Sequence, residues 1–176
     1  MRIDVIAEMD LTPADDAAIG RLLTGAFGGG FDGRSFHKQR HHLRIVARDA
    51  DDAILGHVAL LIRDIRVGDR LTPVIGVAEV ATREDHRGQG IAAALLGEAL
   101  SQARRSLADF VVLFGNRPIY AGMGFTAAAN PLTYVMLDGA RSHGRLSRSD
   151  DTLMVLPLRD ADWDHGADVD LVGHIF

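Results

Sequence analysis

The chain has 176 residues, 47% of them hydrophobic, which suits one domain with a substantial core. It contains no cysteine, so disulfides, thiolate metal sites and cysteine nucleophiles are excluded. The formal net charge is −5, from 19 basic and 24 acidic residues; nucleic-acid binding, which wants a strongly basic face, is not expected, and an anionic ligand has to be held by local positive charge.

No apolar run approaches the ~18 residues of a membrane span, so no membrane partner is expected. The first residues carry Asp4, Glu8 and Asp10 and lack a basic start with an apolar core. No secretion signal is therefore expected, and a cytoplasmic location is. Leu11 to Asp15 opens a helix: Thr12 caps it, Pro13 suits its first position, and Asp15 returns a bond to the cap. Ile19, Leu22, Leu23, Ala26 and Phe27 form its buried face, and Gly28-Gly29-Gly30 ends it. The loop from Phe31 to Phe36 is either a cleft wall or a plain linker. His37 and His41 would share a helical face at a spacing that binds metal, but no acidic partner is positioned for it, and no metal is expected.

Arg44 to Arg48 reads as a short strand and Ile54 to Val67 as a longer one; Gly68-Asp69 is a hairpin turn before a third strand from Val74 to Thr82. Then comes the most informative stretch. Val77 to Thr82 is apolar, Arg83 to Arg87 is a charged turn, and Gly88-Gln89-Gly90 enters a helix. Ile91, Leu95, Ala99, Ala103 and Leu107 give that helix one apolar stripe. Glycines at a helix start leave uncovered N–H donors where the positive end of the helix dipole lies, which suits a phosphate or diphosphate, with Arg83 and Arg87 beside it. A dinucleotide fold would want a third glycine where Ala93 stands, and a nucleotide-hydrolase loop would want Gly-Lys-Ser/Thr, which is absent.

Phe110 to Phe114 is a continuous apolar run, as in a strand buried on both faces, and should lie parallel to the strand before the helix. A short helix around Tyr120 ends at Gly124, a strand follows near Leu132 to Leu137, and 141–151 reads as a polar loop. Leu153 to Leu158 is the last strand. Acidic residues thicken from Asp150 through Asp160, Asp162, Asp164, Asp168 and Asp170, a comfortable neighbourhood for an amine or simply a solvated surface.

Arg87-x-x-Gly90-x-Ala92 after a strand, with Tyr120-x-x-x-Gly124-Phe125 one strand on, resembles the acyl-coenzyme A turn and the Tyr-x-x-x-Gly-Phe segment of the GNAT superfamily of N-acyltransferases. The resemblance implies an α/β (α+β) fold: a central mixed, mostly antiparallel sheet of about 6–7 strands flanked by about 4 helices, in a single domain spanning 1–176. Two groups are similar in detail. Thr24-Gly25-Ala26-Phe27 and Val155-Leu156-Pro157 resemble bacterial aminoglycoside 2'-N-acetyltransferases; Val67-Gly68-Asp69 and Trp163-x-x-Gly166 resemble nodulation N-acyltransferases. Where the aminoglycoside group carries acidic residues, this chain has Gly30, Ser35, Ala78 and His174.

By position, the resemblance implies that backbone groups of Val80 and Thr82 pair with the pantetheine arm. Arg87, Gly88, Gln89, Gly90, Ile91 and Ala92 hold the diphosphate, and Asn116 also contacts the cofactor, acetyl-coenzyme A. Tyr120 protonates the departing thiolate, and the acetyl group passes by direct attack to a primary amine of a small molecule. An alkylammonium with pKa ~10.4 is protonated at pH 7, so a base is needed. Glu79 is the candidate; His57 and the carboxylate of Phe176 are alternatives. Homodimerisation is an expectation of the same resemblance. Three other readings stand beside this one: an aminoglycoside 2'-N-acetyltransferase, a catalytically silent coenzyme A-binding module, and an unrelated nucleotide-binding protein that prefers ATP or NAD.

Overall fold

A computed structural model describes residues 1–138 and 141–176. They form two compact units, one of Met1–Leu61 and Ala78–Ser101, the other of Ile62–Val77 and Gln102–Phe176.

In the first unit, β1 (Arg2–Ala7) pairs antiparallel with β2 (Leu43–Arg48), which pairs antiparallel with the first half of β3 (Ile54–Val67). Helix α1 (Pro13–Phe27) begins as its sequence directs: the Asp15 N–H donates to Thr12 Oγ1 at 3.1 Å, and the hydroxyl donates on to the Asp15 carboxylate at 2.9 Å. Its buried Ile19, Leu22 and Leu23 pack with Phe31, Val46, Ile54 and Ala81. Gly28, at φ +76°, ends it in the left-handed region that only glycine enters without cost.

The end of β4 (Arg70–Thr82) leads through a single 3₁₀ turn at Glu84–His86 into α2 (Ile91–Arg104). The start of α2 is fixed by a close approach, since a Cβ on Gly56 of β3 would lie 2.8 Å from both Ile91 and Leu95. The helix stops at Arg104, short of Leu107, which is exposed. Ser106 causes the stop: its hydroxyl donates to the Ala103 carbonyl and accepts from the Ala108 N–H, so the backbone turns away.

The second unit is a sheet in the order β6 (Thr126–Ala127), β9 (Leu153–Pro157), β5 (Phe110–Phe114), β4, β3, β10 (Val169–Asp170), β7 (Pro131–Asp138), β8 (Arg141–Ser149). As expected, β5 lies parallel to β4; the register runs from Val74↔Phe110 to Val77↔Leu113 and ends there. Helix α3 (Pro118–Gly122) follows β5. Phe110, Val112, Leu132, Leu153, Val155 and Trp163 are among the side chains that make the core.

The fold class is the expected one, with ten strands among the described residues in place of six or seven and three α-helices in place of four. The segment read as a polar loop over 141–151 is mostly strand β8, whose nine residues are all exposed. Solvated on both faces, it has no apolar alternation to betray it. The histidines at 37 and 41 are not on a helix; 35–42 is irregular. Among the described residues no helix is long and apolar enough to cross a membrane.

Candidate active site

The turn after β4 lies in the first unit. Gly88 and Gly90 sit at φ +77° and +78°, and the N–H groups of Gly88, Gln89 and Gly90 donate to no backbone carbonyl among the described residues. The first helical bond runs from the Ala94 N–H to the Gly90 carbonyl at 3.0 Å. The charged side chains before the glycines largely satisfy one another. Arg83 donates to Asp85 at 2.7 Å and Asp85 meets His86 at 2.8 Å, while exposed Arg87 has no ion-pair partner among the described residues. A cleft of about 650 Å³ borders Thr82, Arg83 and Arg87 on one side and Arg21 and Leu22 of α1 on another. That volume is within the range of small-ligand sites. Oriented donors, a helix N-terminus and an unpaired guanidinium suit an anion.

Glu79 stands just before Val80, at φ +55°. This left-handed backbone costs a residue with a side chain about 1–2 kcal/mol. Its side chain is only 7% exposed and is gripped from three sides. Oε1 accepts the His37 backbone N–H at 2.7 Å and lies 3.2 Å from His41 Nε2; Oε2 accepts from Arg44 Nη1 at 3.3 Å. Burial pushes the Glu79 carboxyl up, but the contacts of His41 and the His37 N–H outweigh it and hold the group below the ordinary range.

Arg44, fully buried, is the hub. It donates to Glu8 at 2.6 and 3.2 Å, to the Ser35 carbonyl at 2.7 Å and toward His57 Nε2 at 3.3 Å. Arg40 bonds Glu8 and Asp16, both at 2.9 Å, and the Ser35 hydroxyl donates to Asp16 at 2.5 Å. Residues 35–41 are thereby strapped to Glu79 of β4, Glu8 just after β1 and Asp16 of α1.

His57 is also fully buried, and its tautomer follows from its partners. Nδ1–H donates to the Glu79 carbonyl at 3.0 Å, which leaves Nε2 to accept from Arg44. Burial, then the charge of Arg44, pushes its pKa down to about 4. His57 is thus held neutral, with both ring nitrogens engaged. Because the unfolded chain binds this proton below about pH 6.5 and the folded chain does not until about pH 4, stability should fall as the pH drops through that window. The expected slope approaches about 1.4 kcal/mol per pH unit, read from urea unfolding at a series of pH values; His57→Gln should flatten it.

Tyr120 and Asn116 belong to the second unit. Tyr120 lies on α3, entered through Pro118, with the N–H groups of Met123 and Phe125 donating to its carbonyl at 3.0 and 3.1 Å. Gly124, at φ +95°, makes the reversal. A Cβ on Gly115 would come within 2.8 Å of the Tyr120 ring, so glycine lets the ring lie against the backbone. Burial raises the phenol pKa, with Arg117 opposing, which keeps the group protonated at neutral pH. Asn116 is exposed just after β5.

The structure therefore gathers Glu79, Val80, Thr82 and the 87–92 turn in one unit and places Tyr120 and Asn116 in the other. The sequence did not disclose Arg44 and buried His41 as partners of Glu79, nor Glu8 as a partner of Arg44. An arginine among the apolar residues of 43–48 was the available signal, since a buried strand tolerates one only beside carboxylates.

The family model described as an acetyltransferase (GNAT) domain matches residues 11–128. A protein of Escherichia coli strain K12, the uncharacterized N-acetyltransferase YhbS, is 30% identical over 122 residues, covering 67% of this chain and 72% of that one. The fold is similar to that of the GNAT family N-acetyltransferase YhbS from Escherichia coli in complex with CoA, with TM-score 0.69 and 24% identity over 97% of this chain and 90% of that one. It is also similar to a GNAT family acetyltransferase from Brucella melitensis in complex with acetyl-CoA, with TM-score 0.62 and 22% identity over 96% and 94% of the two chains.

Proposed function

The chain belongs to the GNAT acetyltransferase family, and from that premise we propose that it moves an acetyl group from acetyl-coenzyme A to a primary amine of a small molecule. The observation that carries the reading is the 87–92 turn: two left-handed glycines, N–H groups with no backbone acceptor among the described residues, and Arg87 with no ion pair among them, at one helix start. These fit a diphosphate. Arg87, Gly88, Gln89, Gly90, Ile91 and Ala92 would hold it, with the backbone of Val80 and Thr82 along the pantetheine arm and Asn116 a further contact. The complexes of similar proteins with CoA and acetyl-CoA support the same cofactor.

In this reading the acceptor amine attacks the thioester carbonyl directly, with no acyl-enzyme, and Tyr120 gives its proton to the leaving sulfur. Glu79 supplies the negative charge that draws a proton away from the acceptor. Residues 1–176 act as one acetyltransferase domain. A homodimer in the cytoplasm completes the reading on resemblance alone.

The test is thermal and chemical unfolding with acetyl-coenzyme A, coenzyme A, ATP and NAD. At a ligand concentration of about 100 times its dissociation constant, the specific ligand adds about 2.7 kcal/mol of stability. Stabilisation by the two coenzyme A species is expected. Stabilisation by ATP or NAD alone, or by none of the four, would overturn the proposal.

A further inference from the structure

The cleft of about 650 Å³ beside the glycine turn extends well past it. From Thr82 and Arg87 it reaches across to helix α1, and all of its lining residues belong to the first unit. A diphosphate held at the 87–92 turn accounts for the Arg87 end and leaves the rest to be filled.

The α1 wall is built mostly of small residues. Ala14, Ala18, Leu22 and Gly25 line it, and a Cβ added to Gly25 would meet no atom within 4 Å. Among them stands one long cation, Arg21. Its guanidinium has no ion pair or hydrogen bond among the described residues, and its helical neighbours at 17, 18, 24 and 25 offer no carboxylate. Arg87, across the cleft, is also without an ion pair among them. The remaining cations are committed: Arg48 pairs with Asp15 at 2.6 Å and lies 3.7 Å from Asp52, and Arg83 pairs with Asp85 at 2.7 Å. Asp52 is held by Arg2 as well, at 2.6 Å. That leaves the carboxylates of Asp51 and Glu84 as free acceptors on the cleft wall.

We propose that this cleft takes the adenosine 3'-phosphate end of coenzyme A, and that Arg21 of α1 is the residue that recognises the 3'-phosphate. The inference rests on the coenzyme A reading and adds to it a specificity residue outside the glycine turn. The chemistry of the cleft matches that end of the molecule part by part. A purine needs a flat apolar wall, which the small residues of α1 and buried Ile54 provide. Its amino group needs an acceptor, for which Asp51 and Glu84 are available. A phosphate monoester carries a charge of about −1.5 to −2 at pH 7 and is met best by the planar fork of a guanidinium. In a chain of net charge −5 that cation has to be local.

The assignment also answers a question that the turn leaves open. ATP and NAD carry phosphates on an adenosine too, so backbone N–H groups that hold a diphosphate do not tell them from coenzyme A. A cation placed beyond the turn does, because neither competitor has a phosphate on the 3' oxygen.

The experiment is calorimetric titration of coenzyme A and 3'-dephospho-coenzyme A, at one fixed salt concentration, into the unsubstituted chain and two variants. The unsubstituted chain should bind coenzyme A about 10–100-fold tighter than the dephospho form, the worth of one charge-assisted hydrogen bond. Arg21→Gln should erase most of that ratio by weakening coenzyme A alone, with dephospho-coenzyme A bound as before. Gly25→Leu puts a side chain into the cleft at a position where leucine favours the helix, and should weaken both ligands about 10-fold without lowering the urea midpoint. Equal affinity of the two ligands for the unsubstituted chain overturns the proposal and leaves the acetyltransferase reading standing. So does an Arg21→Gln variant that weakens both equally or neither, or a Gly25→Leu variant that binds both unchanged. If the unsubstituted chain binds neither ligand, the acetyltransferase reading fails and this one with it.

Discussion

Arg44→Met should lower stability by about 3–5 kcal/mol, the largest effect expected of any single substitution in the first unit. The side chain is fully buried, and its guanidinium meets two carboxylates, a carbonyl and a ring nitrogen. Methionine fills much the same volume, so packing is nearly kept. What is lost is the counter-charge. Burial already opposes the charge of Glu8, which Arg44 and Arg40 outweigh to hold its carboxyl below the ordinary range. Without Arg44, Glu8 and Glu79 each face burial with fewer donors, and the Ser35 carbonyl loses its partner. The urea midpoint at unchanged slope measures the loss. Adding Glu8→Gln to the variant should recover part of it, because the neutral amide no longer needs a cation. A loss under about 1 kcal/mol would mean that solvent reaches the cluster.

Tyr120→Phe carries the second large effect, on rate and not on stability. Phenylalanine keeps the ring against Gly115 and its edge contact with Phe125, whose centroid lies 6.2 Å away. Only the phenolic proton is removed. If that proton goes to the leaving sulfur, kcat should fall about 10²–10⁴-fold while acetyl-coenzyme A still stabilises the variant to the same degree. Burial, by raising the phenol pKa, keeps this proton in place through neutral pH, so no loss of activity from phenol ionisation is expected there. A variant that binds and turns over as before would remove Tyr120 from the mechanism. It would also favour the silent cofactor-binding alternative if the unsubstituted chain proved equally slow.

Local rules carried much of the fold. Thr12 and Pro13 announce α1, the run from Phe110 announces β5, and Gly88 and Gly90 announce the turn into α2, because in each case the deciding interaction lies within a few residues. The missed strands have the opposite character. β10 has two residues and exists only through pairing with β3 and β7; β1 owes its place to β2, some forty positions away. β8 is solvated on both faces, so no periodicity marks it. The same division runs through the site. A diphosphate turn is a property of consecutive residues, whereas the surroundings of Glu79 come from Glu8, His37, His41, Arg44 and His57, on four separate segments. His37 and His41 were weighed as a helical pair; without a helix, one contributes its backbone and the other its ring.

The strap from Ser35 to His41 has a consequence for how this chain can diversify. The irregular segment between α1 and β2 is where a new acceptor preference would most easily arise, since loops tolerate exchange better than strands. Here that segment also grips the Glu79 carboxylate and, through Ser35, the arginine beneath it. In the proposed reading, acceptor recognition and the proton chemistry at Glu79 would therefore be inherited together. A graft that changes what the loop admits must bring along an N–H at 37, a ring at 41 and a carbonyl at 35, or it will alter the carboxylate it was meant to leave alone.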